Sequence, residues 1–142
     1  MKNSTENTAD VKETIRDRAL DLGFDVVGFA PAALNQNARK RLSEFISNGY
    51  HGDMGWLAER AQQRSQPMGL WPQAQSVIVV GLNYGPNDDP LAVISKPERG
   101  SISVYARGRD YHDVVKKKLR SLARFVVDEL CGDVKIFVDT AP

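Results

Sequence analysis

The stretch Asp110–Leu130, DYHDVVKKKLRSLARFVVDEL, and the run VKIFV at 134–138 that follows it decide the fold class. In the first stretch, apolar residues recur every three or four positions, as on one face of an α-helix, and an aspartate such as Asp110 commonly caps a helix N-terminus. The second run is apolar and β-branched, which is typical of a buried strand. The sequence therefore predicts an α/β or α+β domain, with helices packed on a mixed β-sheet.

A helix followed by a strand is also predicted near the start of the chain. Val11, Ile15 and Ala19 repeat at helical spacing within a helix predicted over residues 8–22, and Gly23 stands where helices commonly end. The other predicted elements are a strand at 24–30, a helix over 35–48, a short helix over 53–61 capped by Asp53, an irregular connection over 62–72, a central strand at 76–82, a surface loop over 85–97 and a short strand at 102–106.

The predicted organisation is one domain preceded by a short tail. Residues 1–7 are mostly polar and are expected to be disordered, and residues 8–142 are expected to form the domain. The strand at 134–138 is followed by only four residues, whereas such a strand is usually covered by a further element. We therefore expect an incomplete domain, from a truncated chain or a fragment.

Composition excludes several classes of protein. The 142 residues are 42% hydrophobic and 26% charged, which is ordinary for a globular protein and unlike collagen or a disordered chain. A single cysteine cannot form an internal disulfide, and alone it cannot ligate a zinc ion or an iron–sulfur cluster. There is no signal-peptide pattern, and the longest apolar run, 77–82, is far shorter than the ~20 residues of a membrane span. A soluble cytoplasmic protein is the expectation.

The net charge of +1 hides a strongly basic segment. Residues 96–124 hold nine basic and three acidic residues, a net charge of +6, so the rest of the chain carries −5. Such a segment indicates either an anion-binding surface, including one for nucleic acid, or a merely solvated helix face.

Familiar nucleotide-binding and metal-binding patterns are missing. The sequence contains neither the glycine-rich dinucleotide fingerprint nor a P-loop, and no G-x-S-x-G elbow supports a catalytic triad. His51 and His112 stand 61 residues apart, which is not a metal-ligand spacing. No metal ligand is therefore predicted in this chain.

Three places could carry chemistry. Asp139 follows a predicted apolar strand, where an α/β sheet places catalytic groups, although it could equally cap a turn. The run SVYARGRDYH at 103–112 combines two arginines, a flexible glycine, two tyrosines and a histidine before a helix, which favours anion and base binding over simple loop packing. Arg64 is, by composition alone, an ordinary loop arginine.

Five segments together resemble the N-terminal part of the epoxyqueuosine reductase family. They occur in the family's order and spacing from about residue 8 onward: LGFDVVG at 22–28, GYHGDMGW at 49–56, RxxP at 64–67, SxYAxGRDYH at 103–112 and FVDTAP at 137–142. Each of these segments is weak evidence alone, whereas five in the same order are specific.

The resemblance implies an activity and a role for each candidate residue. Members of the family reduce epoxyqueuosine to queuosine in the wobble position of tRNA, using cobalamin fed by two [4Fe-4S] clusters. Asp139 is similar in position to the family's proposed general acid. Arg64, Ser103 and Tyr105 would contact cobalamin. The residues that would contact the modified base are Arg107, Asp110 and Tyr111.

The same resemblance leaves alternatives open. The cysteine runs that would ligate the clusters are absent from this chain, so the chain alone is expected to be inactive, and it is expected to be monomeric. The expected partners are tRNA carrying epoxyqueuosine and cobalamin, with no membrane. A stand-alone tRNA-binding or corrinoid-binding module without catalysis is one alternative, and a flavin-type reductase with a distantly similar fold is another.

Overall fold

Six α-helices and one two-stranded sheet are present in the computed structural model, which describes residues 4–139. The elements are α1 Ser4–Asp21, β1 Val26–Pro31, α2 Gln36–Ser47, α3 Gly55–Glu59, α4 Ala61–Arg64, α5 Pro67–Leu70, β2 Ser76–Gly81, a 3₁₀ turn Val104–Ala106 and α6 Tyr111–Leu130. No helix in this range is long and apolar enough to cross a membrane. Helix α1 begins inside the predicted tail, residues 1–7, of which residues 1–3 lie outside the described range.

The described residues divide into two compact units, one of residues 4–27 and 80–139, the other of residues 28–79. In the first unit, α1 packs against α6. Ile15 and Ala19 of α1 and Leu122 and Val126 of α6 are buried, because the apolar residues of each helix recur on one face. Gly23 ends α1 with a φ of +80°, a conformation that glycine adopts without steric cost.

The second unit holds the shorter helices α2 to α5. The side chain of Asn35 accepts a hydrogen bond of 2.8 Å from the backbone N–H of Ala38 and so caps the N-terminus of α2. The ring of Phe45 meets the ring of Tyr50 edge-on, with centroids 5.9 Å apart. Helices α4 and α5 contact each other.

The sheet is antiparallel. The Asp25 N–H donates to the carbonyl of Gly81 at 2.9 Å, and the Ala32 N–H donates to the carbonyl of Gln75 at 3.0 Å, so the start of β1 meets the end of β2. The predicted class, helices with a β-sheet, is confirmed. The central position predicted for the strand at 76–82 is wrong for the described residues, because β2 pairs only with β1 and Val79 is 57% exposed.

Several local predictions are also corrected. Residues 134–138 form no strand, because β-propensity needs a neighbouring strand for its hydrogen bonds and none pairs with this segment in the described range. The predicted strand at 102–106 is instead the 3₁₀ turn, and the connection at 62–72 contains α4 and α5. Met54, not Asp53, is the N-cap of α3.

Candidate active site

Helix α6 begins at a group of polar and aromatic residues that the sequence singled out. Gly108 has a φ of +84°, and the chain turns there before entering the helix. Asp110 is the N-cap, as predicted: its Oδ1 accepts hydrogen bonds of 2.8 Å from the backbone N–H of His112 and from His112 Nδ1. The backbone hydrogen bond, followed by the side-chain one, lowers the pKa of Asp110.

Tyr111, the first residue of α6, reaches the carboxylate of Asp139. Its hydroxyl donates a hydrogen bond to Asp139 Oδ2, and this bond raises the pKa of Tyr111 to about 12. His112 Nε2 lies 3.9 Å from the same oxygen. Asp139 adopts a φ of +54°, in the left-handed region that aspartate tolerates better than most residues. One carboxylate oxygen thus accepts a hydrogen bond from a phenol and lies near an imidazole. We call Asp110, Tyr111, His112 and Asp139 the α6 N-terminal cluster.

Aromatic rings form one side of this cluster. The ring of Tyr111 stacks on the ring of His112, with centroids 4.1 Å apart and an interplanar angle of 27°. Tyr105 meets Tyr111 edge-on, with centroids 6.5 Å apart, and is itself 56% exposed. The cluster therefore offers an open surface of ring faces and edges next to a carboxylate, and a planar ligand could stack there.

The surroundings of Asp139 differ from those predicted. The residues before it form no strand, and its side chain is 61% exposed rather than enclosed by apolar residues. Ser103 and Arg107, the two other loop residues predicted to bind ligands, precede the α6 N-terminal cluster in the sequence. Ser103 is exposed just before the 3₁₀ turn, and Arg107 Nε donates to the carbonyl of Ile102 at 2.9 Å, which ties the guanidinium to its own loop.

Arg64 lies in the unit of residues 28–79, at the end of α4. Its guanidinium carbon is 4.6 Å from the centre of the Trp56 ring, a cation–π geometry. Its Nε is buried and has no hydrogen-bond partner in the described part of the chain, and the same holds for His51 Nδ1. A buried donor without a partner is unfavourable, so Arg64 has hydrogen-bonding capacity to offer a ligand.

The structure brings together some of the predicted residues and adds others. Asp139, Asp110, Tyr111 and Tyr105 lie in one unit, where hydrogen bonds and ring contacts join them through Tyr111 and His112, whereas Arg64 belongs to the other unit. The sequence pattern indicated only a general stacking and hydrogen-bonding role for His112 and none for Trp56. The eight-residue spacing of Trp56 and Arg64 carries no recognised signal.

Within residues 4–139, no group of three or more His, Cys, Asp or Glu side chains could hold a metal ion.

Comparison with known proteins gives consistent matches. The family model described as "Epoxyqueuosine reductase QueG, DUF1730" matches residues 64–140. Proteins named epoxyqueuosine reductase are similar over most of this chain: one from Pseudomonas aeruginosa is 35% identical over 98% of the chain and 39% of its own length. The relative from Leadbetterella byssophila is 38% identical over 94% of the chain and 43% of its own length. The relative from Escherichia coli K12 is 33% identical over 92% of the chain and 35% of its own length. No solved structure matches.

These matches define a class and then a family. The matched residues include Arg64 and the whole of the α6 N-terminal cluster, and the relatives that match are named as reductases. The chain belongs to the epoxyqueuosine reductase family. It spans about two fifths of the length of these relatives, between 35% and 43% for the three described.

Proposed function

We propose that the protein containing this chain reduces epoxyqueuosine to queuosine in the wobble position of tRNA, with Asp139 as the general acid. The observation that carries the proposal is the arrangement at Asp139 Oδ2, which accepts a hydrogen bond from Tyr111 and lies 3.9 Å from His112 Nε2. The proposal joins this arrangement to the name epoxyqueuosine reductase in the family's description.

An acid is needed because opening an epoxide places negative charge on the oxygen. A carboxylic acid held at that oxygen donates a proton as the carbon–oxygen bond breaks, which removes the cost of forming an alkoxide. Asp139 would donate this proton. An imidazole can relay protons, and His112, whose Nε2 lies 3.9 Å from the same oxygen, would return one to Asp139 by moving within hydrogen-bond distance. Tyr111 would orient the carboxylate through its hydroxyl.

The proposed contacts to the modified base involve Arg107, Asp110 and Tyr111. The ring of Tyr111, stacked on His112 and next to Tyr105, offers a surface on which a base could stack, and bases outside a helix are commonly bound in this way. Oδ1 of Asp110 is engaged by His112, so its Oδ2 would be the oxygen left to accept a hydrogen bond from the base. Arg107 is anchored through Nε, and its terminal nitrogens could reach a ligand.

Cobalamin is the proposed cofactor, and Arg64, Ser103 and Tyr105 would hold it. The buried Nε of Arg64, which lacks a partner among the described residues, fits a ligand with hydrogen-bond acceptors such as the amide groups of a corrinoid. When bound, cobalamin would supply a reducing cobalt centre. The two [4Fe-4S] clusters proposed for the complete enzyme need cysteine ligands, and this chain has one cysteine, so the ligands would come from other parts of the protein.

Replacing Asp139 by asparagine tests the proposed acid. In the complete protein, Asp139→Asn should abolish queuosine formation, measured by mass spectrometry of nucleosides from tRNA, because an amide cannot donate the proton. Cobalamin should remain bound, as judged by its absorption spectrum. Asp133→Asn, which changes another exposed aspartate six residues away, is the matched control and should retain activity. Normal queuosine formation by Asp139→Asn would remove Asp139 from this role.

A further inference from the structure

The outer face of α6 carries a row of cations. The side chains of Lys116, Lys117, Arg120 and Arg124 are all exposed, and at 3.6 residues per turn they fall within an arc of about 100° on the helix surface. We call these four residues the α6 stripe. Among the described residues none of the four has an ion-pair partner, and α6 carries no acidic residue between Asp113 and Asp128.

The opposite face of α6 packs in the protein interior. Leu122 and Val126 are buried on the side of α6 that packs against α1. Lys118, the third lysine of the run, turns away from the stripe, and its Nζ donates a hydrogen bond of 2.5 Å to the carbonyl of Gly23. The structure thus separates three adjacent lysines into one structural residue and two that face solvent.

The charge of the stripe is unbalanced in a way that points to a polyanion. Four exposed cations close together repel one another, and a binding partner with regularly spaced negative charges relieves this repulsion. A membrane surface fits less well, because an amphipathic helix binds a bilayer by inserting its apolar face, and the apolar face of α6 is covered by α1. A phosphate backbone needs only the exposed cations.

We propose that the α6 stripe binds the phosphate backbone of the substrate tRNA and thereby aligns it with the α6 N-terminal cluster. This inference rests on the proposed function for its choice of RNA. The stripe starts at Lys116, about 6 Å along the helix axis from His112, and extends for about a further 12 Å to Arg124. A strand lying along the stripe therefore leads towards Asp139, Tyr111 and the exposed ring of Tyr105.

The salt dependence of RNA binding tests the stripe. In the complete protein, the triple variant Lys117→Gln, Arg120→Gln, Arg124→Gln should bind tRNA about 10-fold more weakly or worse at about 0.1 M salt. The slope of the logarithm of the binding constant against the logarithm of salt concentration should become shallower by about 3, one unit for each phosphate that the variant no longer neutralises. The substitutions leave the buried face of α6 intact, so the circular dichroism spectrum should not change.

A matched control separates the stripe from net charge. Arg39→Gln, Lys40→Gln, Arg41→Gln removes the same charge from the exposed surface of α2 and should leave tRNA affinity within about 3-fold, the scatter of weak electrostatic effects at this salt concentration. Equal losses of affinity in both triple variants, or no loss in the α6 variant, would overturn the inference. In the wild-type protein, bound tRNA should protect Lys116 and Lys117 from a lysine-acetylating reagent, and unchanged labelling would also overturn it.

Failure of the stripe is distinguishable from failure of the proposed function. Reduction of the modified nucleoside within tRNA is measured on the wild-type protein and reports only on the proposed function. Suppose that the wild-type protein forms queuosine and that the α6 variant has the same tRNA affinity and the same salt dependence of binding. The inference about the α6 stripe is then wrong, and the proposed function stands. Tighter binding of the wild-type protein than of the α6 variant to anionic vesicles, without a difference on tRNA, would instead indicate a membrane surface and overturn the inference.

Discussion

At the scale of single residues, the hydrogen bond from Tyr111 to Asp139 links the start of α6 to the irregular segment after it. The two residues are 28 positions apart, and the contact holds the carboxylate near the imidazole of His112. The phenol can donate this hydrogen bond only while it is neutral. Its pKa is raised to about 12 because the bond to Asp139 favours the neutral form.

This pKa predicts how the tyrosines titrate. At about pH 11, above the ordinary tyrosine pKa of about 10, a freely titrating phenol is mostly ionised, whereas Tyr111 should remain mostly neutral. The ultraviolet absorbance of ionised phenol should therefore include a late component that comes from Tyr111. The stabilisation from this bond is fully present below about pH 10 and is lost as the pH rises through about 12.

Two substitutions test whether the late titration comes from Tyr111 and its hydrogen bond to Asp139. Tyr111→Phe keeps the ring against His112 and should remove the late-titrating tyrosine altogether. Asp139→Asn should bring the titration of Tyr111 back towards the ordinary value, because an amide carries no charge to oppose the phenolate. A late tyrosine that persists in Asp139→Asn would show that another group holds the Tyr111 hydroxyl.

At the scale of elements, different residues of α6 and its N-cap serve three roles: capping the helix, packing in the core and presenting cations to solvent. Asp110 caps it, Leu122 and Val126 bury one face, and the α6 stripe occupies another. Lys118 lies at the edge of the buried face, where its Nζ reaches the carbonyl of Gly23 and sits 5.7 Å from the centre of the Phe24 ring. This lysine fastens the end of α1 to the middle of α6.

Substitutions at neighbouring lysines should therefore differ in their effect on stability. Lys118→Met keeps the apolar stem but removes the hydrogen bond, and it should lower the free energy of unfolding by about 1–2 kcal/mol. Lys117→Met, one position away and exposed, should change it by less than about 0.5 kcal/mol. Urea denaturation followed by circular dichroism measures both values. Equal destabilisation of the two variants would mean that the hydrogen bond to Gly23 contributes nothing.

The long helices were predictable because the information that forms them is local. The apolar periodicity of α1 and α6 and the cap at Asp110 lie within each segment, and the structure confirms them. The strand predicted at 134–138 depended on a partner elsewhere in the chain, and its apolar residues could not show whether one exists. In the same way, the lysine run showed a helix face but could not show that Lys118 points inward.

The candidate site was also only partly predictable from the sequence. The identity of the residues at 103–112 and of Asp139 was visible in the sequence, because their chemistry is a property of residue type. Their contacts were not, since the pairing of Tyr111 with Asp139 depends on how the chain returns after α6. The exposure of Asp139 could not be predicted for the same reason, since it depends on residues 134–138 not forming the covered strand.

At the scale of the whole molecule, the segment between β2 and the 3₁₀ turn is the longest one without a helix or strand in the described residues. It is largely exposed, with Ile94 at 74%, and is held by short-range turns such as the Arg99 N–H to Lys96 carbonyl bond of 3.0 Å. Segments with few long-range contacts open at low cost in free energy. The exposure of this segment and its lack of helix or strand predict where the chain is most easily cut.

Limited trypsin digestion should cleave after Arg99 before it cleaves at arginines within α6, such as Arg120. Cleavage after Lys96 should be slow because Pro97 follows it. A fragment that ends at Arg99 should therefore appear, by mass spectrometry, before any fragment that ends within α6, and Arg99→Gln should abolish it. Earlier cleavage at Arg120 would show that α6 opens more easily than this segment.

Cys131 gives the molecule a built-in attachment point. It is the only cysteine of the chain, and it is exposed in the left-handed turn that follows α6. A maleimide fluorophore would therefore attach to this chain at one known position, about 30 Å along a rigid helix from Tyr111. Energy transfer from that fluorophore to a dye on one nucleotide of a bound RNA would give the direction in which the strand runs along α6.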